Sequence, residues 1–191
     1  MKTKIIIFIA MLSASALCGV AQNNNALVFE SRTSKPYHYI NIKGEMNVKI
    51  VQDETPGVTV AGSKFQIDNT VSMLRNDTLF VYEANTRKKD SKVFVTINVK
   101  NISLLEVNGK TNVECDGLIN TDFLTIRTYN GARIKLDVRA LHVESKATGG
   151  SSIDLSGYVG SINECKDRCS VIDSNRLAAW EFNYSLINCC V

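Results

Sequence analysis

The fold of this chain is decided by the stretch LTIRTYNGARIKL, which runs from Leu124 to Leu136. Apolar residues alternate with polar ones at both ends of the stretch, and the turn-forming pair Asn130-Gly131 lies between them. Alternation with a period of two is typical of a strand with one buried face, and Asn-Gly is a strong turn signal. The stretch therefore predicts two short β-strands joined by a tight turn.

Similar units come before and after this stretch. Segments 105–115 (LEVNGKTNVEC) and 141–155 (LHVESKATGGSSIDL) repeat the order of apolar pair, glycine-containing turn and apolar pair, and weaker copies cover 162–173 and 180–191. The corresponding positions Val113, Ile134, Ile153 and Val171 are 21, 19 and 18 residues apart. A period near 20 residues with two strands per unit favours the stacked coils of a β-solenoid. An antiparallel meander of hairpins is the alternative.

The rest of the sequence also has the alternation of β-strands, and its longest run is Val93–Val99. We therefore predict an all-β chain with a right-handed, β-helix- or solenoid-like stack of coils at 101–191 and a β-rich N-terminal half at 37–100. Together they form one domain, 37–191. Ten side chains are expected to be buried in stacked rows: Leu105, Val107, Val113, Ile126, Ile134, Leu136, Leu141, Val143, Ile153 and Leu155.

The first 21 residues have the features of a secretory signal peptide. Two lysines precede an uncharged apolar run at 5–12, and small residues suit cleavage between Ala21 and Gln22. The apolar run is shorter than the about 20 residues that a membrane-spanning helix needs. We expect an exported protein of the periplasm or cell surface that is not transmembrane, with 22–36 as a polar spacer. Lipidation of Cys18 is the alternative.

The charge of the chain is nearly balanced. It has 22 basic and 19 acidic residues, and removing the signal peptide takes away two lysines, which leaves 20 − 19 = +1. Proteins that bind nucleic acid or membrane surfaces through charge carry a much larger positive excess. We therefore expect no nucleic-acid partner. The sequence does not indicate an oligomeric state.

Five cysteines remain after the signal peptide: Cys115, Cys165, Cys169, Cys189 and Cys190. Export permits disulfides, but an odd count leaves at least one thiol unpaired within the chain. The chain has no Cys-x-x-Cys pair, and its two histidines are distant from the cysteines in sequence. We therefore expect no metal site and no cofactor.

The repeat also predicts where the cysteines point. Cys115 falls at an apolar position of its unit, so we expect a buried, reduced thiol. Aligning Phe182 with Asn163 turns Cys189 outward, one coil away from Cys169. Any disulfide is then expected to join the Cys-x-x-x-Cys pair to Cys189, with Cys169–Cys189 as the first choice. Five free thiols are the alternative.

Several segments occur in an order that is similar to a known family. They are 44–52 (GEMNVKIVQ), 58–62 (VTVAG), 77–81 (DTLFV), the strand 93–99 and the glycine-centred turns of the repeat. The chain resembles the autotransporter-adhesin head (GIN) domain family of Bacteroidetes, a domain of unknown function, from about Tyr37 to its end. The resemblance implies a β-helix-like fold, a secreted or surface location and no catalytic residues. The last two units depart from the family pattern, because cysteines replace small turn residues.

A search for reactive groups favours a protein that is not an enzyme. The chain has no nucleophile-elbow motif, its carboxylates are scattered over different units, and His142 is expected to face outward. Six aromatic residues could stack on sugars, but aromatics in strands usually pack inside the sheet. These six are Tyr37, Tyr39, Tyr129, Tyr158, Trp180 and Tyr184. Asp77-Thr78-Leu79 resembles the short O-glycosylation sequon of exported Bacteroidetes proteins, which makes Thr78 a candidate modification site.

We therefore predict a cell-envelope adhesion module that recognises a glycan or an envelope or host protein through a rigid β-face, without catalysis. The displayed polar residues Arg127, Arg133, Lys135 and Glu144 are the candidate binding face. A small carbohydrate-active β-helix enzyme and a purely structural envelope domain are the alternatives.

Overall fold

The computed structural model describes residues 28–85 and 93–186. Ala21, Gln22, Cys18, Cys189 and Cys190 lie outside these ranges. The N-terminal elements are β1 (Val28–Thr33), β2 (Tyr39–Lys43), β3 (Met46–Gln52), β4 (Gly57–Gly62), α1 (Lys64–Asn69), β5 (Thr70–Arg75), β6 (Thr78–Glu83) and β7 (Val93–Val99). The repeat contains β8 (Leu104–Asn108), β9 (Asn112–Tyr129), β10 (Arg133–Ala147), β11 (Ser152–Lys166) and β12 (Val171–Leu186).

The prediction of an all-β fold is confirmed, and the strands form one sheet that curls into a half-barrel. The four long strands β9 to β12 pair in parallel, and Val113, Ile134, Ile153 and Ile172 lie side by side. These four positions are 21, 19 and 19 residues apart. Parallel pairing at this period shows that successive units lie side by side in one sheet, and it excludes the antiparallel meander for this half of the chain.

Each long strand has two arms that meet at a corner. In β10 the buried positions alternate up to Ala140, but then Leu141 and His142 both face away from the core before alternation resumes at Val143. Two consecutive outward residues change the side of the strand that is buried, so the strand must turn there to keep both arms on one core. We call 133–138 and its partners in β9, β11 and β12 the first arm, and 142–147 and its partners the second arm.

The corner corrects one predicted core residue. Leu141 was expected to be buried but is 62 % exposed. Strict alternation from Val143 had placed it inward, and the corner breaks that alternation. The other nine predicted core residues are buried, each with at most 2 % of its surface exposed.

The repeat alignment also needs a correction in β12. Val171 pairs with Ser152 and is exposed, while Ile172 takes the predicted inward position. Phe182 pairs with Ile162 and not with Asn163, because β12 carries an extra residue at an irregularity in its pairing with β11. A bulge of this kind shifts every later residue by one position.

The N-terminal half continues the two arms. Strands β2 and β3 stack in parallel on β8 and on the start of β9, and β6 and β7 stack in parallel on β2 and β3. The antiparallel strands β4 and β1 follow β7 on the first arm, and antiparallel β5 follows β6 on the second arm. None of the helices in the described ranges is long and apolar enough to cross a membrane.

Candidate functional site

A groove lies on the outer surface of the corner of β10, β11 and β12. Its volume is about 530 Å³, and it is lined by Arg139, Ala140, Leu141, Tyr158, Val159, Gly160, Ala178, Ala179 and Trp180. Tyr158 is 70 % exposed and Trp180 is 96 % exposed. Two aromatic rings with this much exposed surface contribute little to the core, and exposed apolar surface of this kind is typical of a binding site.

The groove exists because large and small residues alternate at the corner. Tyr158 is in register with Ala178, and Gly160 lies next to Trp180 on the neighbouring strand, between the paired positions 159–179 and 161–181. Neighbouring strands are about 4.8 Å apart and alternate residues about 6.6 Å apart, so the two aromatic residues are roughly 8 Å apart along the diagonal. This spacing leaves room for a flat ligand above the two small residues.

Polar side chains border the groove on the second arm. His142 and Ser161 are in register, and His142 Nδ1 lies 2.7 Å from Ser161 Oγ. Asn163 Nδ2 lies 3.4 Å and Glu144 Oε1 3.9 Å from His142 Nε2. A hydroxyl, an imidazole, an amide and a carboxylate therefore stand beside the aromatic surface, while Arg139 lines it on the other side.

The contact between Ser161 and His142 is not a hydrolytic triad. Its acid, Glu144, is 3.9 Å from His142 Nε2, beyond hydrogen-bonding distance. The residues that line the groove include no carboxylic acid, histidine or cysteine. Elsewhere in the described ranges, no three His, Cys, Asp or Glu side chains are grouped as metal ligands.

The predicted binding face is divided between the two arms. Arg133 and Lys135 lie on the first arm, where Lys135 is in register with Glu114 on one side and Asp154 on the other. Both neighbours are acidic, so Lys135 lies between opposite charges on the outer face of the first arm.

Arg127 and Glu144 lie on the second arm, and Arg127 is in register with Lys146 and Glu106. All four residues of the predicted face are exposed, but the structure does not bring them together. Glu144 is the one that reaches the border of the groove, and the role of all four residues in binding stays a prediction.

Thr78 directly follows the turn between β5 and β6. Asn76 and Asp77 have φ angles of 47° and 62°, the left-handed conformation of a tight hairpin turn. The Thr78 hydroxyl donates a hydrogen bond to the Asn76 carbonyl oxygen at 3.4 Å. Its glycosylation stays a prediction.

Cys115 packs against the core but remains half-buried. The Asp137 amide donates a hydrogen bond to its sulfur at 3.1 Å, and burial raises the pKa of the thiol. Cys115 and Cys165 are free thiols. Cys169 is exposed at a turn, where its amide donates to Asp167 Oδ1 at 3.1 Å.

Comparison with known protein families identifies the family of this chain. The family model described as "Putative auto-transporter adhesin, head GIN domain" matches residues 36–183. The chain belongs to this family. The resemblance found in the sequence is thus confirmed. Comparison with curated proteins gives no match.

Several solved structures with a similar fold come from Bacteroidetes. A putative adhesin of Bacteroides fragilis has a TM-score of 0.79 and 16 % identity, covering 84 % of this chain and 76 % of its own. A putative adhesin of Parabacteroides merdae has a TM-score of 0.71 and 16 % identity, covering 84 % and 77 %. A Parabacteroides distasonis structure described as a putative lipid binding protein has a TM-score of 0.58 and 15 % identity, covering 83 % and 78 %. At these identities the likeness establishes a shared fold.

Within this fold, sequence reasoning missed the corner groove. Tyr158 and Trp180 were expected to pack inside the sheet, as Tyr37 does with 1 % of its surface exposed. The sequence signal that could have revealed them is a small residue beside each ring: Ala178 beside Tyr158 and Gly160 beside Trp180. A small neighbour cannot cover an outward-facing aromatic ring, so the ring stays exposed.

Proposed function

We propose that this GIN-domain protein is an exported, non-catalytic adhesion module that binds a glycan in the corner groove. The observation that carries the proposal is the exposure of Trp180 diagonally across from Tyr158. Aromatic rings offer a large apolar surface at little cost in side-chain entropy, and the apolar face of a pyranose ring can cover them. The hydroxyl, imidazole and amide groups at the border are suited to hydrogen bonds with sugar hydroxyls.

Arg139 suggests which kind of sugar binds. A guanidinium forms paired hydrogen bonds with a carboxylate or sulfate group, and Arg139 lines the same groove as the two rings. Acidic sugar units, such as uronic acids or sulfated hexoses, are therefore the preferred ligands. The groove is shallow and open, which suits a sugar chain better than an acyl chain that needs enclosure.

The signal peptide and the family support export to the periplasm or the cell surface. The parallel pairing of β9 to β12 supports the predicted right-handed winding, because parallel strands joined by a crossover within one sheet are almost always connected in the right-handed sense. A rigid stack would hold the groove in place when it binds a ligand on a second surface.

The proposal is tested by applying the mature protein to an array of neutral and acidic glycans, together with three variants. Trp180→Ala and Tyr158→Ala should each weaken binding at least about tenfold, or 1.4 kcal/mol. Phe94→Ala is the matched control, because Phe94 is 56 % exposed on β7, away from the groove, and its loss should leave binding unchanged. Equal binding by all four proteins would reject the groove as the site.

A further inference from the structure

The two ends of the strand stack differ in how their outermost strands are held in place. At the N-terminal end, Arg32 of β1 donates hydrogen bonds to the carbonyl oxygens of Thr70 at 2.7 Å and Ile67 at 3.3 Å. β1 is the last strand of the first arm and Thr70 begins the last strand of the second arm, so this guanidinium ties the two arms together. The side chain of Ile67 in α1 is buried, with 3 % of its surface exposed. This end is closed.

The other end is open. β12 pairs with β11 and with no other strand in the described ranges. The inward-facing residues of its second arm extend the buried apolar row of β11, but no further strand in the described ranges covers them. Phe182 is 53 % exposed, although its neighbour Ile162 on β11 is fully buried. Tyr184 and Leu186 are 49 % and 58 % exposed. A strand edge with an exposed apolar row favours pairing with another chain.

A second observation at the same end also indicates a missing partner. Glu164 on β11 is in register with Tyr184 and is only 5 % exposed. Its Oε1 atom has no hydrogen-bond partner in the part of the chain that the structure describes. Buried carboxylate oxygens without a donor are rare, and each calls for an explanation. A buried acceptor without a donor, next to an exposed apolar row, is expected of a surface that a binding partner covers.

We infer that this end is an interface covered by a second copy of the chain, with β12 pairing antiparallel to β12 of that copy about a two-fold axis. The two open ends are identical, so one two-fold contact covers both apolar rows. A two-fold contact of this kind uses the β12 edge of both copies, so it is complete with two copies and leaves no β12 edge free for a third.

The size of the end agrees with a dimer. β12 has 16 residues. At about 3.3 Å per residue the strand runs for about 53 Å, and with an end about 10 Å deep it offers roughly 500 Å² per copy. The total of about 1,000 Å² reaches the lower limit for specific interfaces.

Sedimentation of the mature protein from nanomolar to high micromolar concentration tests the inference. We expect a monomer–dimer equilibrium, with Phe182→Lys and Tyr184→Lys each raising the dissociation constant at least tenfold. Phe94→Lys is the matched control, because it adds the same charge at an equally exposed aromatic residue of β7 and should dimerise like the wild type.

Amide hydrogen exchange of the wild type gives an independent result if a lysine variant fails to fold. The β12 amides should exchange slowly at high concentration and faster on dilution. A monomer at every concentration, with or without slow β12 exchange, would overturn the inference. So would growth beyond the dimer, or a dimer that both lysine variants retain.

Discussion

Gly160 lies so close to Leu141 that a Cβ atom at position 160 would be only 2.5 Å from the Leu141 carbonyl oxygen. The contact joins β10 and β11 at the corner and leaves space beneath Trp180. Any side chain here would fill the bottom of the groove and push the two strands apart. The shape of the groove is therefore fixed by the backbone.

Replacing Gly160 by alanine should destabilise the protein by about 1–3 kcal/mol, because a backbone oxygen has little freedom to move aside. The matched control is Gly57→Ala, where the nearest atom, the Arg32 carbonyl oxygen, would be 3.5 Å from the new Cβ atom. Chemical denaturation measures both. Equal stability of the two variants would show that the corner is not tightly packed.

Two aspartate substitutions test the corrected corner. Ile134→Asp should unfold the domain, because Ile134 is 2 % exposed and a buried, unpaired charge is costly. Leu141→Asp should leave the melting temperature nearly unchanged, because Leu141 is 62 % exposed. Circular dichroism melts distinguish them. A large loss of stability in Leu141→Asp would restore the strict alternation predicted from the sequence.

Glu164 should make the stability of the protein depend on pH. Burial raises the pKa of this carboxyl, while a hydrogen bond with Ser174 and attraction to Lys166 act in the opposite direction. A pKa that is higher in the folded than in the unfolded state favours folding while the group is protonated, and this stability is lost as pH rises toward the folded pKa. Glu164→Gln should therefore raise the melting temperature at neutral pH but much less near pH ~4, around the ordinary pKa of glutamate.

Glu144→Gln is the control for this substitution, because Glu144 lies exposed on the outer face of the second arm. Its melting temperature should follow the wild type across the pH range. If Glu164→Gln also follows the wild type at every pH, the carboxyl is better solvated than its burial indicates.

The cysteines test the register at the end of the stack. Leu186 pairs with Lys166, and Cys189 follows Leu186 by the same three residues by which Cys169 follows Lys166. We therefore expect any disulfide to join Cys169 and Cys189, and non-reducing peptide mapping of the mature protein checks this. Cys115 should stay reduced and alkylate slowly until the protein unfolds, because burial raises its pKa. A bridge that includes Cys115 would contradict the pairing of β9 with β10.

The parallel stack could be predicted from the sequence because its cause is local. Alternation within 124–136 and its return about 20 residues later are properties of the chain, and Ile134 and Ile153 pair as the spacing requires. The corner could not be predicted in this way. That both Leu141 and His142 face outward depends on where the strand turns, and that is set by contacts with other strands.

The candidate site was missed for the same reason. Whether Tyr158 and Trp180 point into the sheet or out of it depends on the alternation at the corner and on the bulge in β12, and neither leaves a periodic signal. The charged residues Arg133 and Lys135 were selected because they are polar, but a sequence does not show which side chains lie beside them on the neighbouring strands.

The most direct test of the groove uses its own tryptophan. Trp180 is the one tryptophan in the chain, so intrinsic tryptophan fluorescence of the unmodified protein, at one fixed concentration below that of dimer formation, reports on this site alone. Without ligand, the emission should be that of a water-exposed indole and should be quenched efficiently by acrylamide. Titration with an acidic oligosaccharide should shift the emission to shorter wavelength and protect it from quenching, with saturation at the Kd found by calorimetry. Calorimetric binding that leaves the Trp180 emission and its quenching unchanged would contradict the assignment of the glycan site to the corner groove.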